Sequence, residues 1–147
     1  PDDCVVGSHT VFANSAALSG HVEVQDHAVL GGFAGVHQFC RVGTRSFMGG
    51  ATVATKDVMP FSMVVGDRAR LYGLNLVGLR RSGLSSEALA ALRQAFRVLM
   101  DPSLNVSDAV ARLESEGPHT EEIETVVEFI RSAKRGVVSR PAADRED

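Results

Sequence analysis

Histidine and arginine side chains offer most of the chemistry that this sequence could perform. His21 and His37 each carry an imidazole, the side chain that most readily exchanges a proton near neutral pH. Four arginines lie close together in an otherwise acidic chain and suit the binding of an anion such as a pyrophosphate, although a solvated charged surface is the simpler alternative. They are Arg68, Arg70, Arg80 and Arg81.

Two further histidines give only a weak metal signal. His9 and His27 occupy equivalent places in the repeat described below, but they have no acidic or thiol partners in that pattern. Two like ligands are a poor set for a structural or catalytic metal ion. We therefore expect no metal site and no cofactor.

A six-residue repeat of apolar side chains must position these groups. Every sixth residue from Val6 to Ala54 is apolar, and the residue four places after each of them, from Thr10 to Val58, is small or β-branched. Neither the period of an α-helix nor the alternation of a single strand explains this pattern. Twelve of the 14 glycines lie in the first 83 residues, which suggests tight repeated turns.

The repeat predicts a solenoid with three flat faces. Each hexad supplies one short strand and one corner, three hexads close a coil, and neighbouring coils pair strand to strand about 4.8 Å apart. Residues 6–59 then form about three coils within a domain of residues 1–60. So short a stack leaves unpaired strands at its first end, so we expect further coils upstream of Pro1.

The coil length also predicts which side chains stack. Residues three hexads apart become vertical neighbours, so Asp2, Gly20 and Gln38 share one column and His21 lies above Asp3.

The rest of the chain changes character after the hexads end. Residues 61–83 read as an irregular connector, residues 84–136 as a small helical domain and residues 137–147 as a disordered tail. Apolar stripes at helical spacing predict three helices, and their side chains most simply form a core. The candidate N-caps are Ser85 or Ser86, Asn105 or Ser107, and Thr120.

Three segments make the sequence similar to a known family. They are residues 19–22 (SGHV), 30–40 (LGGFAGVHQFC) and 72–81 (YGLNLVGLRR). They resemble the acyl-carrier-protein-dependent UDP-N-acetylglucosamine O-acyltransferases, which belong to the hexapeptide-repeat acyltransferases, over about residues 3–136. The resemblance implies a mainly β fold with α, a left-handed parallel β-helix of about three coils followed by a C-terminal three-helix domain, and it marks the chain as a C-terminal portion.

The resemblance also implies a mechanism. In that family a histidine acts as general base on a sugar hydroxyl, which attacks the acyl thioester on the carrier protein. Asp2 stands at the matching position, and a carboxylate is a much poorer proton acceptor than an imidazole. The oxyanion-binding N–H is assigned to Gly20, and Asp3 keeps a catalytic position in the surviving Asp3-Cys4 part of the motif.

The same resemblance implies a set of substrate contacts. Gly50 matches the position at which side-chain bulk limits acyl length, so its glycine predicts a long 3-hydroxyacyl chain. His37 and Gln38 break a column of small residues, which is typical of a functional position. Val77 replaces a family glutamate and Arg68 a family histidine, which weakens the expectation for nucleotide-sugar binding. The substrate-binding residues implied are His21, Gly32, His37, Gln38, Gly50, Arg68, Asn75 and Arg81.

The activity implied is transfer of a 3-hydroxyacyl chain from acyl carrier protein to the 3-hydroxyl of UDP-N-acetylglucosamine, the first step of lipid A biosynthesis, by a homotrimer. The related N-acyltransferase of the same pathway and a trimeric scaffold without activity, which Asp2 favours, stay open as alternatives. The chain has a net charge of -3, no apolar stretch of about 18 residues and no signal-peptide pattern. We therefore expect a cytoplasmic protein without a transmembrane segment or a nucleic-acid partner.

Overall fold

The computed structural model describes residues 3–140, and the first part of this range is a parallel β-helix. Successive two-residue strands are spaced six residues apart, and they form three faces with the strand orders β1-β4-β7, β2-β5-β8 and β3-β6-β9. Three coils result, as the hexads predict. The strands are β1 (Val5–Val6), β2 (Val11–Phe12), β3 (Ala17–Leu18), β4 (Glu23–Val24), β5 (Val29–Leu30), β6 (Gly35–Val36), β7 (Arg41–Val42), β8 (Phe47–Met48) and β9 (Val53–Ala54).

The register between coils confirms the predicted stacking. Val6 pairs with Val24 and Val24 with Val42, so each residue lies beside the one three hexads later. The apolar column and the column of small residues both point inward, and the interior is filled from the second coil onward by residues such as Leu30 and Met48, each 0% exposed. In the first coil, Val6 is 47% exposed because no coil covers its lower side in the described residues.

The corners of the β-helix contain residues in the left-handed backbone conformation, which the sequence pattern does not predict. One residue per hexad, including His21 and Phe39, has φ between 53° and 66° in the left-handed region, and none of these corner residues is a glycine. The N–H of Phe39 donates to the carbonyl of Gly20 in the coil before it, at 3.1 Å. This bond and its equivalents offset the strain that a side chain meets in this region.

Glycines in the coils therefore serve close packing rather than the turn itself. A Cβ on Gly31 would lie 2.7 Å from the backbone N of Gly50, and one on Gly43 would lie 2.4 Å from the N of Pro60. The expectation that glycines make the repeated turns is corrected in this respect. Their positions mark where the next coil approaches too closely for a side chain.

Residues 61–83, expected to be irregular, contain regular elements. Strand β10 (Ser62–Val65) extends the second face, and β11 (Arg70–Leu74) pairs with it antiparallel. Helix α1 (Leu76–Arg81) follows, with the Asn75 side chain accepting the Gly78 N–H as its N-cap. Met63 pairs with Phe47, which is only 16 residues earlier in the chain. The last coil is therefore two residues shorter than the others, and the six-residue repeat ends there. This shortening hides the strand from a six-residue pattern.

The three predicted helices are present, and they pack into one apolar core. They are α2 (Ser86–Leu99), α3 (Val106–Glu116) and α4 (Glu121–Arg131). Their N-caps are Ser85, Asn105 and Thr120, whose side chains each accept a backbone N–H of the first turn. Within residues 3–140, no helix combines the length and apolar character needed to cross a membrane.

The start of the expected disordered tail is packed against the β-helix. Val137 and Val138 are buried, and the Val138 N–H donates to the Asp57 carbonyl at 2.8 Å. Ser139 accepts the N–H of Leu71 from β11. Residues 137–139 therefore differ from the expectation, because two apolar side chains and backbone hydrogen bonds hold them. The remainder of that tail, residues 141–147, lies outside the described residues.

Candidate functional site

The predicted catalytic residues lie at one corner of the β-helix, which joins the third face to the first. This corner, called the Gly20 corner, comprises residues 3, 19–22 and 37–40. His21 lies directly above Asp3, as the repeat predicts, and its Nε2 is 3.3 Å from Asp3 Oδ2. Both side chains are more than half exposed, so the pair can meet a substrate. Asp2 lies outside the described residues.

The N–H of Gly20 is available to an incoming oxygen. Within residues 3–140 it donates to no acceptor, whereas two equivalent N–H groups at the remaining corner, in the first and third coils, are used. Ser8 donates to a carboxylate oxygen of Asp26 at 2.8 Å, and Thr44 donates to Oε1 of Gln25 at 3.0 Å. An amide at this corner position thus binds side-chain oxygens elsewhere in the same β-helix. The geometry is suited to a developing oxyanion.

Aromatic and cationic side chains continue the column above His21. The rings of His21 and Phe39 stack with centroids 4.8 Å apart and an interplanar angle of 25°. The Arg135 guanidinium, from the segment after α4, lies 5.5 Å from the Phe39 ring centroid. Its Nη1 also reaches the backbone carbonyl of Gln38 at 3.5 Å. The helical end of the chain therefore touches the Gly20 corner.

A second group of predicted residues lies at the corner between the second and third faces, called the Gly50 corner (residues 31–34 and 49–52). Gly32 and Gly50 are vertical neighbours, and a Cβ on Gly50 would lie 3.6 Å from the Gly32 carbonyl oxygen. Gly50 is exposed. The two glycines leave a smooth strip of backbone on this edge.

The remaining predicted residues belong to the segment after the coils. Asn75 is buried, and its amide Nδ2 donates to the Arg45 carbonyl at 2.9 Å while its Oδ1 caps α1. Both ends of this amide are thus engaged within the chain. Arg68 and Arg81 are exposed, as is Val77.

The predicted site residues therefore do not form one cleft within a single chain. The Gly20 corner and the Gly50 corner are separated by the third face, and Arg45, which Asn75 contacts, marks the remaining corner. His37 and Gln38 are exposed at the Gly20 corner, with the His37 N–H donating to the Ala54 carbonyl.

Two features offer chemistry away from the predicted residues. The rings of His9 and His27 stack 5.0 Å apart, as their spacing predicts, but within the described residues no group of three or more His, Cys, Asp or Glu side chains could hold a metal ion. An open groove of about 650 Å³ lies between β11 and α2, lined by residues such as Leu74 and Phe96. It contains none of the predicted site residues, and we assign it no role.

Sequence reasoning missed Phe39 and Arg135. Phe39 follows His21 by three hexads, so the column arithmetic contains the signal for it. Arg135 comes from a segment outside the repeat, and nothing in its local sequence indicates where it lies.

Comparison with known proteins decides the family. The family described as UDP-N-acetylglucosamine O-acyltransferase, domain 2, matches residues 57–138, which is more than half of the chain. The chain belongs to this family. The match includes β10, β11 and all four helices, so the segment after the coils carries it.

Individual members of the O-acyltransferase family agree with this assignment. The acyl-[acyl-carrier-protein]–UDP-N-acetylglucosamine O-acyltransferase of Thiobacillus denitrificans is 46% identical over 136 residues, which cover 92% of this chain and 53% of the relative. The crystal structure of Francisella novicida UDP-N-acetylglucosamine acyltransferase has a TM-score of 0.88 at 33% identity, covering 95% of this chain and 51% of that one. The Arabidopsis enzyme has a TM-score of 0.86 at 36% identity, with coverages of 92% and 50%.

These comparisons confirm the predicted family and fold. The O-acyltransferase structures contain a left-handed β-helix, and the coils and helices of this chain superpose on them. The chain spans about half the length of the relatives that it matches.

Proposed function

We propose that the chain carries the C-terminal part of an enzyme that transfers a 3-hydroxyacyl chain from acyl carrier protein to the 3-hydroxyl of UDP-N-acetylglucosamine, the first step of lipid A biosynthesis. The observation that supports this most is the pairing of His21 with Asp3 beside the unused N–H of Gly20. Family membership supplies the reaction class.

Each group at the Gly20 corner has a place in this reaction. A base removes the proton of the sugar hydroxyl, and the oxygen attacks the thioester carbonyl carbon. The Gly20 N–H binds the oxyanion of the tetrahedral intermediate, and the C–S bond then breaks as the leaving thiolate takes up a proton. His21, held by Asp3, contacts the substrate and orients it against this N–H.

We further propose that the enzyme works as a homotrimer with sites between neighbouring β-helices. The Gly20 corner and the Gly50 corner lie on different edges of one chain, and the third face separates them. When the Gly20 corner of one copy meets the third face and Gly50 corner of another, the oxyanion site and a glycine-lined strip for an acyl chain come together. The expected result in sedimentation experiments is a trimer.

Charge supports the choice of substrates. Arg68 and Arg81 are exposed on the segment after the coils and suit the diphosphate of the nucleotide or an acidic carrier protein. We further propose that the protein is cytoplasmic. The N-acyltransferase alternative has less support, because the matching family and relatives are O-acyltransferases.

The test compares the chain with its Asp2→His variant. Labelled 3-hydroxyacyl carrier protein is mixed with UDP-N-acetylglucosamine, and ester formation is measured, with a UDP-3-O-acylglucosamine acceptor as the N-transfer arm. A general base raises the rate of such a reaction roughly a hundredfold or more, so Asp2→His is expected to increase the rate of ester formation by at least that factor. His21→Gln in the same background is expected to remove most of the gain.

The scaffold alternative makes the opposite prediction. A folded trimer that shows no ester formation in either form, and no saturable binding of acyl carrier protein or of UDP-N-acetylglucosamine, would contradict the proposed activity. Amide formation without ester formation would instead favour the N-acyltransferase.

A further inference from the structure

An exposed imidazole needs partners if it is to hold one orientation. The His21 side chain is 52% exposed, so packing alone leaves its χ angles free to change. Two contacts restrict it. Asp3 Oδ2 lies beside the ring edge at Nε2, and the Phe39 ring covers one face of the imidazole.

These two contacts fix different degrees of freedom. The stacking of the rings, 4.8 Å apart at 25°, sets the plane of the imidazole in an offset-parallel arrangement. The Asp3 carboxylate, whose Oδ2 lies 3.3 Å from Nε2, sets the rotation of the ring within that plane. Together they determine which nitrogen faces a substrate.

Phe39 is itself held by the helical end of the chain. Arg135 lies over its ring at 5.5 Å and donates to the neighbouring carbonyl of Gln38. The position of Arg135 follows from an anchor three residues before it, where Arg41 of β7 donates to the side-chain oxygen of Ser132 at 3.0 Å. The order of contacts is therefore Arg135, Phe39, His21 and Asp3.

A comparison within the β-helix shows that this arrangement is not a property of every corner. Phe33 has the same left-handed backbone conformation, with φ of 59°, at the Gly50 corner, and it is 71% exposed. Within residues 3–140 it makes no ring or cation contact. Phe39 makes both.

We infer that Phe39 and Arg135 are positioning residues that hold the His21 imidazole in one orientation against Asp3, so that the helical end of the chain sets the geometry of the acyl-transfer corner. The inference rests on the proposed function for its catalytic consequence. The orientation of the ring itself does not depend on that function and can be measured separately.

The first experiment reads the ring directly. Histidines of the chain are labelled with ¹³C, and the His21 signal is assigned by its loss in His21→Gln. The stacked Phe39 ring shields the imidazole protons, so Phe39→Leu is expected to move the His21 signal downfield, while Phe39→Tyr restores it. Phe33→Leu is the matched control, and it leaves the His21 signal in place. Arg135→Gln is expected to broaden or shift the His21 signal, unlike Lys134→Gln.

The second experiment measures steady-state kinetics. It uses the form of the chain that turns over, either the parent with Asp2 or the Asp2→His variant. Misorientation of a substrate-contacting group lowers kcat more than it raises KM, so Phe39→Leu is expected to lower kcat about tenfold or more with KM within about threefold. Loss of an exposed cation–π contact predicts a kcat about two- to fivefold lower in Arg135→Gln. Phe39→Tyr recovers the rate, and Lys134→Gln retains it.

The two experiments separate the inference from the proposed function. An unchanged His21 signal in both Phe39→Leu and Arg135→Gln overturns the inference, whatever the enzyme does. A shifted signal with an unchanged kcat in an active enzyme overturns its catalytic part. If neither form turns over, the proposed function fails, but the His21 signal still decides the positioning.

Discussion

Arg41 and Asp57 form a partly buried ion pair that joins the β-helix to the helical end of the chain. Arg41 Nε lies 2.9 Å from Asp57 Oδ2, and the Arg41 backbone N–H donates to Oδ1 at 2.8 Å. The same guanidinium donates to the Phe129 carbonyl at the end of α4 and lies 3.9 Å from the Phe129 ring centroid. One arginine therefore holds two parts of the chain together.

The first prediction concerns this pair. Asp57→Asn preserves the shape of the side chain but leaves the Arg41 guanidinium, 21% exposed, without its counter-charge. We expect a loss of about 2–4 kcal/mol in the free energy of unfolding, measured by urea denaturation. The control is Glu114→Gln, which breaks the exposed pair between Arg131 and Glu114 and is expected to cost less than about 1 kcal/mol. Equal losses in the two variants would contradict the role of Arg41 as an anchor.

The second prediction concerns glycines in the coils. Gly43→Ala places a Cβ 2.4 Å from the N and 2.7 Å from the Cα of Pro60, and both are backbone atoms that cannot rotate away. We expect a destabilisation of about 3 kcal/mol or more, seen as a lower urea midpoint. Gly35→Ala is the matched control, because nothing lies within 4 Å of its Cβ. The free energy of unfolding of Gly35→Ala should change by less than about 1 kcal/mol. A similar loss of stability at both positions would show that backbone freedom, not close approach, selects these glycines.

The repeat could be read from the sequence because each hexad makes its own strand and corner. The columns then follow by arithmetic, and they place His21 above Asp3. The helix starts could be read to within two residues, because caps are local signals, and the structure selects Ser85 over Ser86 and Asn105 over Ser107. These parts of the fold depend on residues close together in the chain.

The parts that escaped prediction depend on distant contacts. Strand β10 was hidden because the coil that contains it is two residues shorter. Val137 and Val138 were expected in a disordered tail, since only their packing on the β-helix orders them. Arg135 reaches the Gly20 corner across 96 residues of chain from Phe39, and no local pattern encodes such a contact.

The third prediction concerns the two thiols. Burial, with a smaller contribution from the nearby Asp57 carboxylate, raises the pKa of Cys40 to about 11, from an ordinary value of 9.0, and Arg135 opposes this only in part. A raised pKa means less thiolate at a given pH, about a hundredfold less for two units, and the thiolate is the reactive form. At pH 8 we expect iodoacetamide to modify Cys40 at least about a hundredfold more slowly than a free thiol.

Half-buried Cys4 serves as the internal control for this measurement. Mass spectrometry of digested protein reports both sites, and Cys4→Ser and Cys40→Ser confirm the assignment. The same pKa shift makes stability depend on pH. As pH rises from 9 toward 11, the Cys40 thiol ionises in the unfolded chain before it ionises in the folded protein. The contribution of Cys40 to the free energy of unfolding therefore falls over that window. Modification of Cys40 at the rate of a free thiol in the folded protein would contradict this account.

The last prediction concerns acyl length in the active enzyme. A Cβ at Gly50 would meet the Gly32 carbonyl oxygen at 3.6 Å, an ordinary contact, so Gly50→Met can be built without moving the backbone. If the glycine strip of the Gly50 corner carries the acyl chain, the methionine fills the space of its far end. Because a misfit of one methylene is worth about tenfold or more, the kcat/KM ratio of long over shorter 3-hydroxyacyl donors should fall by at least that factor. For Gly50→Ala we expect a ratio between those of the parent and Gly50→Met. The control Ala111→Met, on the exposed side of α3, should have the same ratio as the parent. An unchanged preference in a folded, active Gly50→Met enzyme would place the acyl chain elsewhere.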